Sequence, residues 1–345
     1  MAPTDDTVQV SSVSYQQLAD IEADFDDLNT ELLIQQTVNE RSLYERRSAL
    51  LRKITGFWPL VLEHAPPEID QYVQPGDAMV LGNYLEDIEV TRFEVGESAT
   101  SKDNGEPRSF AVRFTFAEND IFEDRVLEKR FWFRHAPVKE AKDGDDKKKS
   151  VAAESWSGIV SEPVAIKWKE GKDQTGGLLD LAVKVYQEGE KSASVEALTE
   201  ELSKTAMGGI SFFAWFGYVG RRVSAEESKA AATLKREQRA ERAAKRAKGE
   251  KVAEDEEAGE DEEEDAIEID DDEYEYEIFS DGDIVALAFA EDLWPNAIKY
   301  FRQAQEEETL SDLEFEEMDE DDEEEDDEEG GDDAEDAPPS KKQRT

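Results

Sequence analysis

Few residues of this chain have the type and spacing that catalysis or metal binding requires. The sequence has 345 residues, two histidines and no cysteine. His64 falls in a predicted turn and His135 at the end of a predicted strand, and neither has the spaced partners of a metal site. Without cysteine the chain can form no disulfide, thiolate nucleophile or zinc–thiolate site. We therefore interpret both histidines as structural or surface residues and predict no metal site.

One segment, Glu170-Gly171-Lys172-Asp173, superficially matches a phosphate-binding loop. The match fails, because Asp173 replaces the Ser or Thr that would bind magnesium and Ile166 replaces the first glycine. The acidic runs likewise lack the glycine and the spaced glutamate of an EF-hand. Carboxylates are so frequent that two neighbours in sequence say nothing about acid–base catalysis. The sequence thus predicts a protein that is not an enzyme and uses no cofactor.

The acidic residues are concentrated in two stretches. The chain has 88 acidic and 40 basic residues, a formal net charge of −48 at pH 7. Residues 306–337 contain 22 acidic residues and no Lys or Arg, and residues 250–277 contain 18 with one Lys. Such dense like charges repel one another and leave little apolar surface to bury. We expect both stretches to be disordered, and the mildly acidic remainder to form the globular part.

Composition also restricts the compartment and the partners. Residues 1–6 have neither the basic nor the apolar region of a secretory signal, and the longest uncharged run, 205–220, is too short for a bilayer. We expect a soluble intracellular protein without a membrane partner. Because its charge would repel phosphates, we expect polycationic partners and no direct sequence-specific binding to nucleic acid.

Residues 14–56 predict one long helix. No Pro or Gly interrupts it before Gly56, which suits a C-terminal stop, and Ser14 and Gln17 fit a capping box. Apolar residues recur at alternating intervals of three and four, which is an a/d seam that becomes partly polar at Gln36, Asn39 and Arg47. Its apolar members are Leu18, Ile21, Phe25, Leu28, Leu32, Leu43, Leu50 and Ile54. A helix of roughly 60 Å, at 1.5 Å per residue, cannot bury this seam on a small domain, so we expect a homodimer.

The rest of the chain predicts an antiparallel sheet followed by helices. The predicted strands are 87–95, 108–116, 128–135 and 164–169. The other predicted elements are a helix over 77–85, a loop over 96–107, a weak helix over 195–204, a buried aromatic cluster over 211–216 and a last helix over 293–305, with Pro295 in its first turn. This order indicates an α+β fold with segregated layers.

Residues 221–279 form a charged insertion, basic in its first half and acidic in its second. Residues 229–248 are Ala-rich, contain eight basic residues and two Glu, and predict an exposed helix. It has three interpretations: a bipartite nuclear import signal, a nucleic-acid contact, or a solvated helix that folds against the adjacent acidic run. The candidate import residues are Lys235, Arg236, Lys245 and Arg246, with Arg221 and Arg222 as an alternative first half and Lys341 and Lys342 in a second, weaker patch.

Four stretches, in a fixed order, carry a family resemblance. They are the end of the long helix with Ile54-Thr55-Gly56-Phe57-Trp58; residues 84–90; residues 114–122 leading to Leu127-Glu128-Lys129; and the pair 166–173 and 211–216, closed by 291–296. Together they resemble the nucleosome assembly protein family, and specifically its SET branch of histone chaperones. The resemblance covers about residues 15–305 except for insertions, and no family property is assigned to the insertion at 221–279.

The resemblance implies a headphone-shaped homodimer. The long helices would pair antiparallel, and a sheet with helices packed on one side would form an earmuff lobe. Core histones would bind the acidic underside of the lobe, assisted by the tail, and the candidates by position are Asp173, Thr175, Glu291 and Asp292. We expect Trp168 and Trp294 in the lobe core, and Glu291 and Asp292 also suit dipole compensation at the last helix.

These features predict a nuclear histone chaperone, able to shuttle through the cytoplasm, that shields core histones and promotes nucleosome assembly and disassembly. The alternatives are a regulator of a chromatin or signalling enzyme, as a phosphatase inhibitor or an acetyltransferase cofactor, and a polyanionic scaffold or import adaptor. The predicted organisation is a disordered N-terminus (1–13), a dimerisation helix (14–56), a histone-binding lobe (57–220 and 280–305), the insertion (221–279) and a disordered acidic tail with a terminal basic patch (306–345).

Overall fold

The computed structural model describes residues 15–99, 105–136, 156–189, 192–205, 209–248, 276–307 and 309. Ser14, nearly all of the two acidic runs and the basic patch with Lys341 and Lys342 lie outside these described residues. The capping box, the disorder expected of the N-terminus and the acidic runs, and the second import patch therefore stay predictions.

The long helix is confirmed as α1, Tyr15–Leu51. It ends before Gly56, because the chain must turn there to bury the apolar side of α2, Phe57–Glu63, in the lobe. Gly56 makes this turn with a left-handed backbone (φ 73°, ψ 12°), which glycine adopts without steric cost.

Two faces of α1 have different surroundings. One face is buried or half-buried against the rest of the chain and carries Asp20, Asp27, Thr30, Ile34, Val38, Arg41, Tyr44, Arg47 and Leu51. The predicted seam lies on the other face, where its apolar side chains from Leu18 to Leu50 are 50–62% exposed. Ile54, predicted as the last seam residue, lies in the turn after α1 and is 41% exposed. Arg47 was wrongly placed among the polar seam positions: its guanidinium turns toward the lobe and donates to the carbonyl oxygens of Trp294 and Pro295.

The sheet has four antiparallel strands in sequential order. They are β1 Leu85–Thr91, β2 Phe110–Phe116, β3 Val126–Ala136 and β4 Trp156–Ser161. The first three match predicted strands, whereas β4 was missed and residues 164–169 form only one isolated bridge, between Trp168 and Phe122. Gly158 and two serines give β4 low strand propensity, so its pairing with β3 decides its conformation.

The core lies against one face of this sheet. The register pairs Phe110 with Phe131 and Phe114 with Leu127, which places these side chains on the same face. A 3₁₀ helix, Phe212–Gly217, adds the predicted aromatic cluster, and all six of its residues are buried. The ring of Phe114 lies 5.4–6.1 Å from the rings of Phe212, Trp215, Phe216 and Phe289.

Short helices complete the lobe, namely α3 Pro67–Asp70, α4 Pro75–Tyr84, α5 Leu178–Glu188, α6 Ala193–Thr205 and α8 Gly282–Leu287. The longer α7, Ala225–Ala247, lies in the charged insertion. A π-helical turn, Ala288–Leu293, links α8 to α9, residues 297–307. The last helix thus begins after Pro295, later than predicted. The predicted α+β class, with a long N-terminal helix, an antiparallel sheet and helices packed on its apolar face, is confirmed. Within the described ranges, no helix has the length and apolar content of a membrane span.

Candidate functional site

Asp173 and Thr175 lie in the turn that precedes α5, whose N-cap residue is Gly177. The Asp173 carboxylate accepts hydrogen bonds from the Thr175 amide and hydroxyl, both at 2.7 Å, and from the Gly177 amide at 2.7 Å. The Thr175 hydroxyl accepts from the Leu179 amide at 3.3 Å. Thr175 is 5% exposed, whereas Asp173 is half-buried with an open side. Only Asp173 of this pair can meet a partner directly, and Thr175 fixes its position.

Glu291 and Asp292 lie in the π-helical turn before α9. The Asp292 carboxylate accepts from the Asn296 side-chain amide at 2.9 Å and from the Tyr300 hydroxyl at 2.8 Å. Burial and this bond to Asp292 raise the pKa of Tyr300 to about 12, so its hydroxyl stays a donor. Glu291 is exposed, and its charge acts on Arg92. Asp292 is therefore preorganised by α9, while Glu291 is open to solvent.

The structure holds the two predicted histone-binding pairs, Asp173 with Thr175 and Glu291 with Asp292, by separate sets of contacts. Around Asp173 the surface is mixed, since Lys172 lies 3.9 Å from Asp120 and Lys167 lies 3.7 Å from Asp124. Lys169 donates to the Asn119 carbonyl at 2.6 Å and lines a cavity of about 310 Å³ with Glu118, Phe122, Glu123 and Arg125. This part of the predicted acidic underside thus carries cations between its carboxylates.

Trp168 and Trp294 both pack on the lobe core, as expected. The Trp168 ring lies 5.8 Å from that of Phe122 and 5.6 Å from that of Phe213. Trp294 is 7% exposed, and its indole N–H donates to the Ile88 carbonyl at 3.0 Å. Both indoles therefore contribute to packing.

The carboxylates of Asp77 and Glu277 and the ammonium of Lys129 bind the backbone in and just after the aromatic 3₁₀ helix. Asp77 accepts from the Ser211 hydroxyl and the Phe212 amide at 2.6 and 2.7 Å. Lys129 donates to the carbonyls of Glu162, Phe216 and Tyr218 at 2.8–3.0 Å. Burial raises the pKa of Asp77 and of Glu277, and lowers that of Lys129 to about 7. All of these groups point into the lobe, so we assign them to structure.

The basic helix α7 has an outer and an inner face. Lys235 and Arg236 are exposed, while Lys245 pairs with Glu241 at 2.9 Å. Arg246 instead pairs with Asp20 of α1. Among the described residues, α7 thus contacts α1. Residues 249–275 lie outside the described part of the chain, so the interpretation that α7 folds against the acidic run stays a prediction.

The contact between α7 and α1 was missed by sequence reasoning. Its members are Asp20, Asp24 and Asp27 on α1 and Arg239, Arg242 and Arg246 on α7. Each set is spaced by three or four residues, so it forms a stripe along one side of its helix. That complementary spacing is the signal that could have indicated the pairing.

The histidines have ordinary partners. His64 lies 3.0 Å from Glu307, and His135 shares a 2.8 Å hydrogen bond with Ser157. Among the described residues no three His, Cys, Asp or Glu side chains are grouped as a metal site would require.

Comparison with known proteins supports the family resemblance that the four ordered stretches indicate. A family model described as nucleosome assembly protein (NAP) matches residues 11–304. A Schizosaccharomyces pombe protein named as a nucleosome assembly protein is 33% identical over 161 residues, 46% of this chain and 59% of that protein. Drosophila melanogaster protein SET is 30% identical over 145 residues, 41% of this chain and 44% of SET. The matches thus span less than two thirds of either relative. The chain also aligns with the crystal structure of Ccp1, at a TM-score of 0.49 and 24% sequence identity. The alignment covers 84% of this chain and 95% of that chain.

Proposed function

Because the chain belongs to the nucleosome assembly protein (NAP) family, we propose that it is a histone chaperone. It would bind core histones, shield their charge and promote nucleosome assembly and disassembly without catalysing a covalent step. The observation that carries this proposal is the family match over residues 11–304, together with a net charge of −48 that suits a polycationic partner.

The chemistry of the carboxylates supports such a role. DNA attracts histones through counterion release, which makes their association fast and hard to reverse. A protein with many carboxylates competes for the same lysines and arginines, and each contact exchanges readily because it is weak in water. Histones would then be kept from aggregating while DNA can still take them up. The acidic runs would raise the association rate, and the folded lobe would supply specificity.

On the lobe, we assign histone contact to Asp173, Glu291 and Asp292. Asp173 and Asp292 are supported in this role by the hydrogen bonds that fix their carboxylates at the ends of α5 and α9. Such fixed anions lose little conformational entropy on binding. Thr175, which is 5% exposed, would act by positioning Asp173.

The exposed seam of α1 supports a homodimer. Seven large apolar side chains along one face of α1, each 50–62% exposed, form with Ile54 just beyond the helix a patch that a single copy leaves uncovered. A second α1 with the same a/d spacing would cover it. We propose residues 14–56 as the dimerisation helix, residues 57–220 and 280–305 as the histone-binding lobe, and residues 221–279 and 306–345 as its charged appendages.

We further propose a nuclear location, with import through Lys235, Arg236, Lys245 and Arg246 and return through the cytoplasm. Lys235 and Arg236 are exposed, which an import receptor would need.

The test is equilibrium binding of H2A–H2B and of H3–H4 at near-physiological salt. The Asp173→Asn/Glu291→Gln variant removes two lobe charges, and asparagine keeps one oxygen that can accept from Thr175. A matched variant, Glu45→Gln/Glu196→Gln, removes two exposed charges elsewhere. We expect tight binding by the native chain and a several-fold loss only in the first variant. Absence of histone binding by the native chain would refute the function, and equal losses in both variants would refute the assigned residues.

A further inference from the structure

The inner face of α7 is held against the first turns of α1 by ion pairs. Arg239 bridges Asp24 and Asp27, with a 3.0 Å contact to Asp27. Arg242 lies 3.3 Å from Asp20, which Arg246 also contacts. The chain thus uses three arginines of one helix to neutralise three aspartates of another.

Burial distinguishes this contact from ordinary surface ion pairs. Asp20 is 17% exposed, and Arg242 and Arg246 are 19% and 22% exposed. Arg239 is 29% exposed, whereas Asp24 and Asp27 are 63% and 42% exposed. The contact is therefore more shielded from water at the Asp20 end than at the Asp27 end.

The N-terminal end of α7 is anchored independently. Ser224 and Glu227 form a capping box that starts the helix. Ser228 is 7% exposed, and its hydroxyl accepts a 2.9 Å hydrogen bond from the His135 amide at the end of β3. The helix can therefore remain attached to the lobe through its first turns while the arginines at its other end leave α1.

We propose that α7 is an internal competitor of the basic partner: it occupies, in the free protein, an acidic face of α1 that a lysine- and arginine-rich histone segment takes over on binding. This inference rests on the proposed function as a histone chaperone. The chemistry of the partner follows from α7, which now covers this face. A face that binds arginines spaced three or four residues apart on one helix can also bind a basic segment of a histone with the same spacing. The face consists of Asp20, Asp24 and Asp27.

Competition of this kind sets the expected size of the effect. If the acidic face of α1 is uncovered for only a fraction of the time, the apparent affinity for histone at that face equals the intrinsic affinity multiplied by that fraction. If α7 covers the face for about 70–90% of the time, its release tightens histone binding by about three- to tenfold.

The experiment compares two full-length variants of equal net charge. Arg239→Gln/Arg242→Gln/Arg246→Gln removes the inner-face cations, and Lys229→Gln/Lys235→Gln/Arg236→Gln removes three exposed cations of the same helix. Glutamine retains high helix propensity, so α7 persists in both variants. Binding of H2A–H2B is measured for both variants and the native chain, with amide hydrogen exchange of residues 18–30 and 225–247 before and after histone addition.

We expect the inner-face variant to bind about three- to tenfold more tightly than the outer-face variant. In the native chain, histone should lower the protection of the second half of α7 while raising that of residues 18–30. Equal affinities of the two variants, with native histone binding intact, overturn the internal competitor but leave the chaperone function standing. If the amides of α7 stay equally protected from hydrogen exchange in the histone complex, the internal competitor is overturned as well. A native chain that binds no histone refutes both proposals.

Discussion

The guanidinium of Arg47 lies 4.3 Å from the ring centre of Trp294 and donates a 2.7 Å hydrogen bond to the carbonyl of the same residue. A second bond, of 3.1 Å, goes to the Pro295 carbonyl, and the Tyr44 ring lies 4.2 Å from that of Trp294. Trp294 in turn donates to the Ile88 carbonyl of β1. This arrangement fixes the direction in which α1 leaves the lobe, and with it the geometry of any dimer built on α1.

Arg47→Ala should therefore destabilise the protein. Loss of the charge-assisted bonds to two carbonyls and of the cation–π contact should lower the free energy of unfolding by about 2–4 kcal/mol. Urea denaturation measures the change, and the exposed neighbour Arg46, replaced in the same way, serves as control. A loss no greater than that of Arg46→Ala would show that the contact with Trp294 does not stabilise the fold.

The buried Lys129 ammonium predicts a pH dependence of stability. Burial lowers its pKa to about 7 in the folded chain, from 10.5 as the ordinary value. Between these values the unfolded chain binds a proton that the folded chain does not, so stability rises with pH, by at most about 1.4 kcal/mol per unit. Denaturation from pH 8 to pH 10 should therefore show a steeper rise for the native chain than for Lys129→Met/Glu277→Gln.

The double variant is the appropriate reference for this measurement. Removal of Lys129 alone would leave Glu277, whose pKa burial already raises, without its cationic neighbour. Parallel stability curves for the native chain and the double variant over this pH range would contradict the assigned titration of Lys129.

Replacement of Gly282 and of Gly82 by alanine should change the free energy of unfolding in opposite directions. A Cβ at Gly282 would lie 2.3 Å from the Tyr218 ring, whereas a Cβ at Gly82, within α4, meets nothing within 4 Å. Gly282→Ala should therefore lower the free energy of unfolding by about 1–3 kcal/mol through overpacking. Gly82→Ala should raise it by up to about 1 kcal/mol through helix propensity. Thermal denaturation of both variants tests the pair, and a stabilised Gly282→Ala would contradict the packing around Tyr218.

A single charge in the seam of α1 should prevent self-association. Leu28 and Leu234 are both 50% exposed, but Leu28 belongs to the seam and Leu234 to α7. Leu28→Glu would place two like charges in the dimer interface or bury them without a partner, whereas Leu234→Glu would leave the seam intact. Light scattering at micromolar concentration should give a monomer for the first variant and a dimer for the second. A dimer in both cases would show that the seam is not the interface.

Local sequence patterns predicted those elements whose stability comes from their own periodicity. The uninterrupted residues 15–51, the alternation in β2 and the Ala-rich α7 all contain their signal within one segment. β4 has no such signal, because Gly158 and its serines become a strand only through pairing with β3. Residues 164–169 show the reverse: the segment was predicted as a strand, but among the described residues it joins no strand of the sheet and forms only the bridge of Trp168 to Phe122.

The sequence by itself determined the α+β class, the seam of α1, the aromatic core and the polyanionic character, since periodicity and composition do not depend on distant contacts. Only the tertiary structure decided which charges are available. Thr175 is buried in the turn before α5, Asp292 is held by Tyr300, and Arg246 reaches across the chain to Asp20. The spacing of the arginines of α7 shows that they share one helix face, but it does not determine which opposite charge each one meets, because a long flexible side chain can pair with any that folding brings within reach.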